Sequence, residues 1–227
     1  MQQALLLSLL AGAMIPLGAW IAWRRDQFDE RVPHAVVAFG GGTLVSAVAL
    51  VLVPDGAARI PDALAVVLFL AGGAVFRWID ASVKRISGQH GQMLAMLTDF
   101  IPEAAALGAL LATGENSAFL LAALIGLQNL PEGFNAWREN PPNAPRRTMA
   151  LYCALALLGP AAAMAGNVFL SQSDGALGGL MVFAAGGVLY LVFEDVAPAD
   201  RMESDPTPPL GAVAGFALGL AGHLMLT

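Results

Sequence analysis

The chain has 227 residues, 57% of them hydrophobic and only 12% charged, with a formal net charge of −6. Soluble globular chains carry about 25% charged residues, so the composition excludes an ordinary soluble domain, and the absence of a basic field excludes a nucleic-acid-binding one. The single cysteine, Cys153, excludes an internal disulfide and, lying inside an apolar run, is expected to be a small core residue.

Taken in order, the apolar runs predict eight spans, at about 4–23, 34–54, 62–81, 92–112, 117–137, 148–169, 175–196 and 208–226. Each approaches the roughly 20 residues that cross about 30 Å of hydrocarbon as a helix. The first run lacks a positive segment before it, and Arg24 and Arg25 follow it, which fits a spanning helix and not a cleaved leader. The loops after the first, third, fifth and seventh runs hold Arg24, Arg25, Arg31, Lys84, Arg85, Arg138, Arg146, Arg147 and Arg201, with Arg77 near the end of the third, whereas the opposite loops hold only Arg59. The positive-inside rule then places both termini outside. The expectation is an all-α polytopic membrane protein of eight transmembrane helices, one membrane domain over 1–227, in the inner membrane. The proline- and charge-rich stretches Asn135 to Arg147 and Pro198 to Pro209 read as cytoplasmic loops.

Gly41 to Asp55 (GGTLVSAVALVLVPD) and Gly186 to Asp200 (GGVLYLVFEDVAPAD) resemble each other in runs that cross in opposite directions, which suggests an inverted repeat. Gly211, Gly215 and Gly219 on the last run, with Gly72, Gly73, Gly178, Gly179, Gly186 and Gly187, are spaced for close helix packing, within one subunit or in a homodimer.

The functional signal lies in two segments, DFIPEA (residues 99–104) and QNLPEG (residues 128–133), which place a proline beside a glutamate inside apolar runs. A carboxylate at membrane depth is costly enough to mark a site, and a proline in a helix interior frees a carbonyl, here those of Thr98 and Leu127. Asp99 and Glu103 are four residues apart and share a face, and Gln128 and Glu132 repeat that spacing. Facing each other, they supply three carboxylates and an amide carbonyl, with Asn129 adding a further oxygen, a donor set suited to a divalent cation. Two other readings stay open: neutral carboxylates tethering helices, and a proton path. His34, His90 and His223 are expected at interfacial or packing positions. Asp80, Glu194 and Asp195 at one set of helix ends, and Asp55, Asp62, Glu115 and Asp174 at the other, are expected mostly on solvated faces. Asp55 and Glu194 or Asp195 are placed to draw a cation to either mouth. Neither HExxH nor a Ser and His pair at spacing is present, so an enzyme is not expected.

With these motifs in place, the chain resembles the Zrt/Irt-like (ZIP) family of divalent metal transporters. The resemblance implies eight spans in a 3+2+3 arrangement, a metal site between the fourth and fifth, and transport toward the cytoplasm. Gln128, Asn129, Pro131, Glu132 and Gly133 fall on motif positions of the fifth span, while the family's histidine, asparagine and glutamate of the fourth fall on Asp99, Phe100 and Glu103. A further carboxylate of the sixth falls on Gly159, and Thr43, Ser46 and Ala47 would flank the entrance. The implied metal residues are therefore Asp99, Glu103, Gln128, Asn129 and Glu132, with one principal site and a second weakened by Phe100 and Gly159. The cargo would be Zn²⁺, Mn²⁺, Fe²⁺ or Cd²⁺, the all-oxygen set suiting Mn²⁺. The alternative is a non-transporting membrane protein with a structural or sensory metal site.

Overall fold

The computed structural model of the chain describes residues 1–25, 27–86, 89–139, 143–197 and 205–226, with residues 84, 86, 89–95 and 195–196 described by backbone alone. Arg201 and most of the 198–209 stretch, and the side chains of Lys84, His90 and Asp195, lie outside the described residues. Within these limits the chain forms eight helices. They are α1 (Gln2–Arg24), α2 (Arg31–Ala57), α3 (Asp62–Ile86), α4 (Gln89–Thr113), α5 (Ser117–Glu139), α6 (Pro145–Leu170), α7 (Asp174–Leu191, extended by Val192–Val196) and α8 (Leu210–Leu226).

Eight spanning helices in a 3+2+3 inverted repeat is not the architecture found. Among the described residues only six helices, α1, α2, α3, α4, α6 and α7, are long and apolar enough to cross a membrane. The two that fail do so for different reasons. Helix α5 spends Gln128, Asn129, Glu132, Asn135, Arg138 and Glu139 in its second half, and α8 has 17 residues, about 25 Å at 1.5 Å per residue.

Helix α5 is packed chiefly against α1 and also against α2, α4 and α8, which bury Gln128 and Asn129 fully while Glu139 at its end stays exposed. Helix α4 packs on α6, α3 on α7 and α8 on α2. Close approach at these crossings is made by glycines facing backbone carbonyls. A Cβ at Gly18 of α1 would collide with the carbonyl of Leu130, and one at Gly133 of α5 with that of Ile15. The same reciprocal device joins Gly72 and Gly186 across α3 and α7, and Gly211 and Gly215 sit against Ala35 and Phe39 of α2. The glycine spacing thus serves packing within one chain, where dispersion and not hydrophobic drive holds apolar helices together.

Three helices widen into single π turns, at Val48–Leu52 in α2, Gly166–Leu170 in α6 and Val192–Val196 in α7. Those in α2 and α7 fall within the two mutually similar segments, Gly41 to Asp55 and Gly186 to Asp200.

Two further expectations are corrected. The stretch 135–147 is mostly helical: α5 runs to Glu139, with Asn135 Nδ2 donating to Glu139 Oε1 at 2.8 Å, and α6 starts on Pro145. A proline is favourable at a helix start because its missing N–H would be unpaired there anyway. Arg138 lies over the rings of Phe28 and Phe134, and Trp137 packs between Trp23 and Tyr152, which seals that end of the bundle with aromatic residues. Cys153 is exposed on α6, not in the core.

Candidate functional site

The two proline-glutamate segments meet. Glu103 of α4 and Gln128 and Asn129 of α5 are fully buried, Asp99 is 3% exposed, and Glu132 is half-buried. The Gln128 side-chain amide donates from Nε2 to Glu103 Oε2 at 2.5 Å, a direct bond between the two helices. Asp99, Glu103 and Glu132 lie close enough for each glutamate to feel the charge of Asp99, and Glu132 also that of Glu103. Asp99 Oδ1 accepts the backbone N–H of Phe100 at 2.9 Å. Asn129 is turned partly away, donating from Nδ2 to the carbonyl of Ala11 on α1 at 2.9 Å.

Why the helices converge here is local. Pro102 and Pro131 lie inside α4 and α5, and the Pro131 ring seats against Gly40 of α2, where a Cβ would come within 3.0 Å of it. Gly133, about one turn past Asn129, lets α1 come down onto α5 close to that residue.

Four buried side-chain oxygens of these candidate residues are left without a hydrogen-bond partner: Glu103 Oε1, Gln128 Oε1, Asn129 Oδ1 and Glu132 Oε2. Two belong to carboxylates and two to amides. Buried acceptors are almost always satisfied, and leaving one unpaired costs about 1–3 kcal/mol, more for a charged group. Among the described residues no group of three or more His, Cys, Asp or Glu side chains is placed to hold a metal ion, so any cation here would draw on the amide oxygens as well.

The neighbouring positions are apolar or self-satisfied. Phe100 is 1% exposed, and its ring fills the space between Gly12 and Gly159, so that a Cβ at Gly159 would collide with the ring tip. Thr43 and Ser46 are fully buried, and their hydroxyls donate to the carbonyls of Gly40 and Thr43 on their own helix, at 2.7 and 2.8 Å. Two cavities of about 510 and 390 Å³ are lined by apolar side chains of α2, α7 and α8 and of α1, α2 and α5, and neither includes any of the five candidate residues.

The remaining ionisable groups divide. His34 is half-buried, its Nδ1 2.6 Å from the carbonyl of Glu30, and Glu194 is exposed. Asp80, in contrast to a solvated position, is 6% exposed and accepts from the Tyr190 hydroxyl at 3.2 Å. At the end of the bundle where α2 meets α3, Arg59 pairs with Glu115 and with Asp174. Sequence reading recorded Arg59 as the lone basic residue of its loops but missed that it joins three of them.

Six apolar crossing helices around a buried polar centre define a polytopic, all-α membrane protein. No protein-family model matches the chain, and no curated protein matches it.

Proposed function

We propose that the protein carries a divalent metal cation across a bacterial-type inner membrane toward the cytoplasm, in the manner of the ZIP family, whose motif QNLPEG resembles. The observation that supports this reading is the set of four unpartnered oxygens on Glu103, Gln128, Asn129 and Glu132, enclosed where α4 and α5 meet. A doubly charged ion bound between Glu103 and Glu132 gives their unpartnered oxygens a partner and offsets the repulsion between Glu103, Glu132 and Asp99. An all-oxygen donor set suits Mn²⁺, while Zn²⁺, Fe²⁺ and Cd²⁺ remain in the class.

In this reading Glu103 and Glu132 hold the ion from two helices and the Gln128 amide turns its oxygen inward as the ion displaces its bond to Glu103. Asp99 adds charge from the turn before Glu103. Phe100 against Gly159 makes the adjoining space apolar, so the site takes one ion. The ion enters past α2 and α4 and leaves toward the opposite helix ends when one group of helices rocks against another. Uptake by the purified protein in proteoliposomes, measured across Mn²⁺, Fe²⁺, Zn²⁺ and Cd²⁺, tests the reading. Saturable flux of at least one ion is expected. Folded protein that binds metal yet passes none under any gradient would leave a static metal site and overturn transport.

A further inference from the structure

Arg59 lies in the short connection between α2 and α3, with its side chain 14% exposed, and its guanidinium reaches two other connections. It pairs with Glu115 between α4 and α5, and its second arm meets Asp174 Oδ1 at the start of α7 at 3.1 Å. Of the three connections at this end, 58–61, 114–116 and 171–173, only Arg59 is basic. Glu115 is held in turn by Thr113, whose hydroxyl donates to Oε1 at 2.9 Å, beyond the left-handed Gly114 (φ +78°) that ends α4.

The two sides of this pair lie on different helices of one shared core, which joins α2 and α7 to α4 and α5. Gly56 and Gly178 bring the end of α2 against α7, where a Cβ on Gly178 would crowd the Gly56 carbonyl and Arg59 Cβ, and Ile60 is buried beside Val182. Arg59 is therefore fixed to α2, α3 and α7. Glu115 caps the α4–α5 hairpin, which carries all five candidate site residues. Between the hairpin tip and Glu103, the hairpin residues Leu107, Leu110, Ala118, Leu121 and Ile125 are each fully buried. Parting the hairpin tip from α2, α3 and α7 breaks the pair between Arg59 and Glu115.

We propose that Arg59 is an electrostatic latch that holds this mouth shut by occupying acidic side chains that a cation would otherwise meet first. Asp55, one turn before Arg59, keeps a buried oxygen unpartnered beside the pair. A divalent cation competes with the guanidinium for Glu115 and Asp174, frees the hairpin, and so unlocks its own route. The idea rests on the transport reading for its consequence on flux, whereas the latch itself is measured without transport.

The test places a cysteine at Ala118 in a Cys153→Ser background and follows thiol labelling in nanodiscs. Arg59→Gln and Glu115→Gln should each speed labelling about tenfold, the scale of one charge-assisted hydrogen bond lost, with Arg59→Lys intermediate. Mn²⁺ or 0.5 M salt should speed labelling of the Arg59 protein and leave Arg59→Gln unchanged, an arm that needs no variant to fold differently. Labelling rates indifferent to both variants, to Mn²⁺ and to salt would overturn the latch even if metal flux is present. Altered labelling with no flux of any metal would keep the latch and remove the transport reading.

Discussion

Replacing Gln128 by Leu should destabilise the protein by about 2 kcal/mol, because it removes the donor that Glu103 Oε2 holds at 2.5 Å and leaves both oxygens of a fully buried carboxylate unpaired. Glu103→Leu alone should cost a similar amount, since it strands the Gln128 amide in a site closed to water. The two together replace both partners by apolar side chains of similar shape, a change that is often close to neutral, so the double variant should lie within about 1 kcal/mol of the unmodified protein. At about 2–4 °C per kcal/mol for a chain of this size, each single variant should melt about 4–8 °C lower in detergent micelles, with the double variant recovering most of the loss. It should nonetheless pass no metal, which separates a pair kept for function from one kept for stability. Single variants that melt with the unmodified protein would refute the bond, and a double variant that loses the sum of the two would refute the coupling.

Phe100→Ala should open a cavity beside Gly12 and Gly159 and cost about 3–5 kcal/mol, read as a fall in melting temperature; Phe100→Leu should recover more than half. Gly133→Ala forces a methyl group onto the Ile15 carbonyl and should cost about 1–3 kcal/mol through separation of α1 and α5, whereas Gly175→Ala, with open space around it, should be tolerated in the same assay. The Asp205 carboxyl is held below its ordinary range by hydrogen bonds from the Thr207 hydroxyl and backbone N–H and by Arg31, whose Nε is 2.7 Å away. A lowered carboxyl contributes where it is ionised in both states and is lost as pH falls through its folded value. Hydrogen exchange at the Thr207 amide should therefore show constant protection above about pH 4, the ordinary aspartate value, and lose it only in stronger acid.

The apolar helices were legible because each is continuous in sequence, with ends near Arg24 and Asp62, whereas the start of α6 at Pro145 was read as loop. Counting every apolar run as a crossing failed at α5, where inward-facing amides and a carboxylate make the helix too polar, and at α8, which stops after 17 residues. The run alone does not state what surrounds a helix, and the amides of Gln128 and Asn129 are buried where α5 meets its neighbours α1, α2, α4 and α8. The candidate site was legible as residues and not as bonds. Four-residue spacing put Gln128 on the same face as Glu132, but nothing local says that its amide reaches Glu103, or that Asn129 turns to the Ala11 carbonyl. Phe100 and Gly159 were noted separately as positions lacking a ligand; their contact, ring against backbone, shows that each accommodates the other. Cys153 was misplaced because a helix facing lipid is as apolar outside as inside, so burial cannot be read from composition.

The central claim, that Glu103 and Glu132 together hold the transported ion, is tested most directly by initial rates of Mn²⁺ and Zn²⁺ uptake into proteoliposomes for the unmodified protein, Glu103→Gln and Glu132→Gln at equal folded content. Each variant keeps its shape and gives up one charge, and each should transport at least about tenfold more slowly, the scale of one charge-assisted contact. Rates equal to the unmodified protein in both variants would contradict the account.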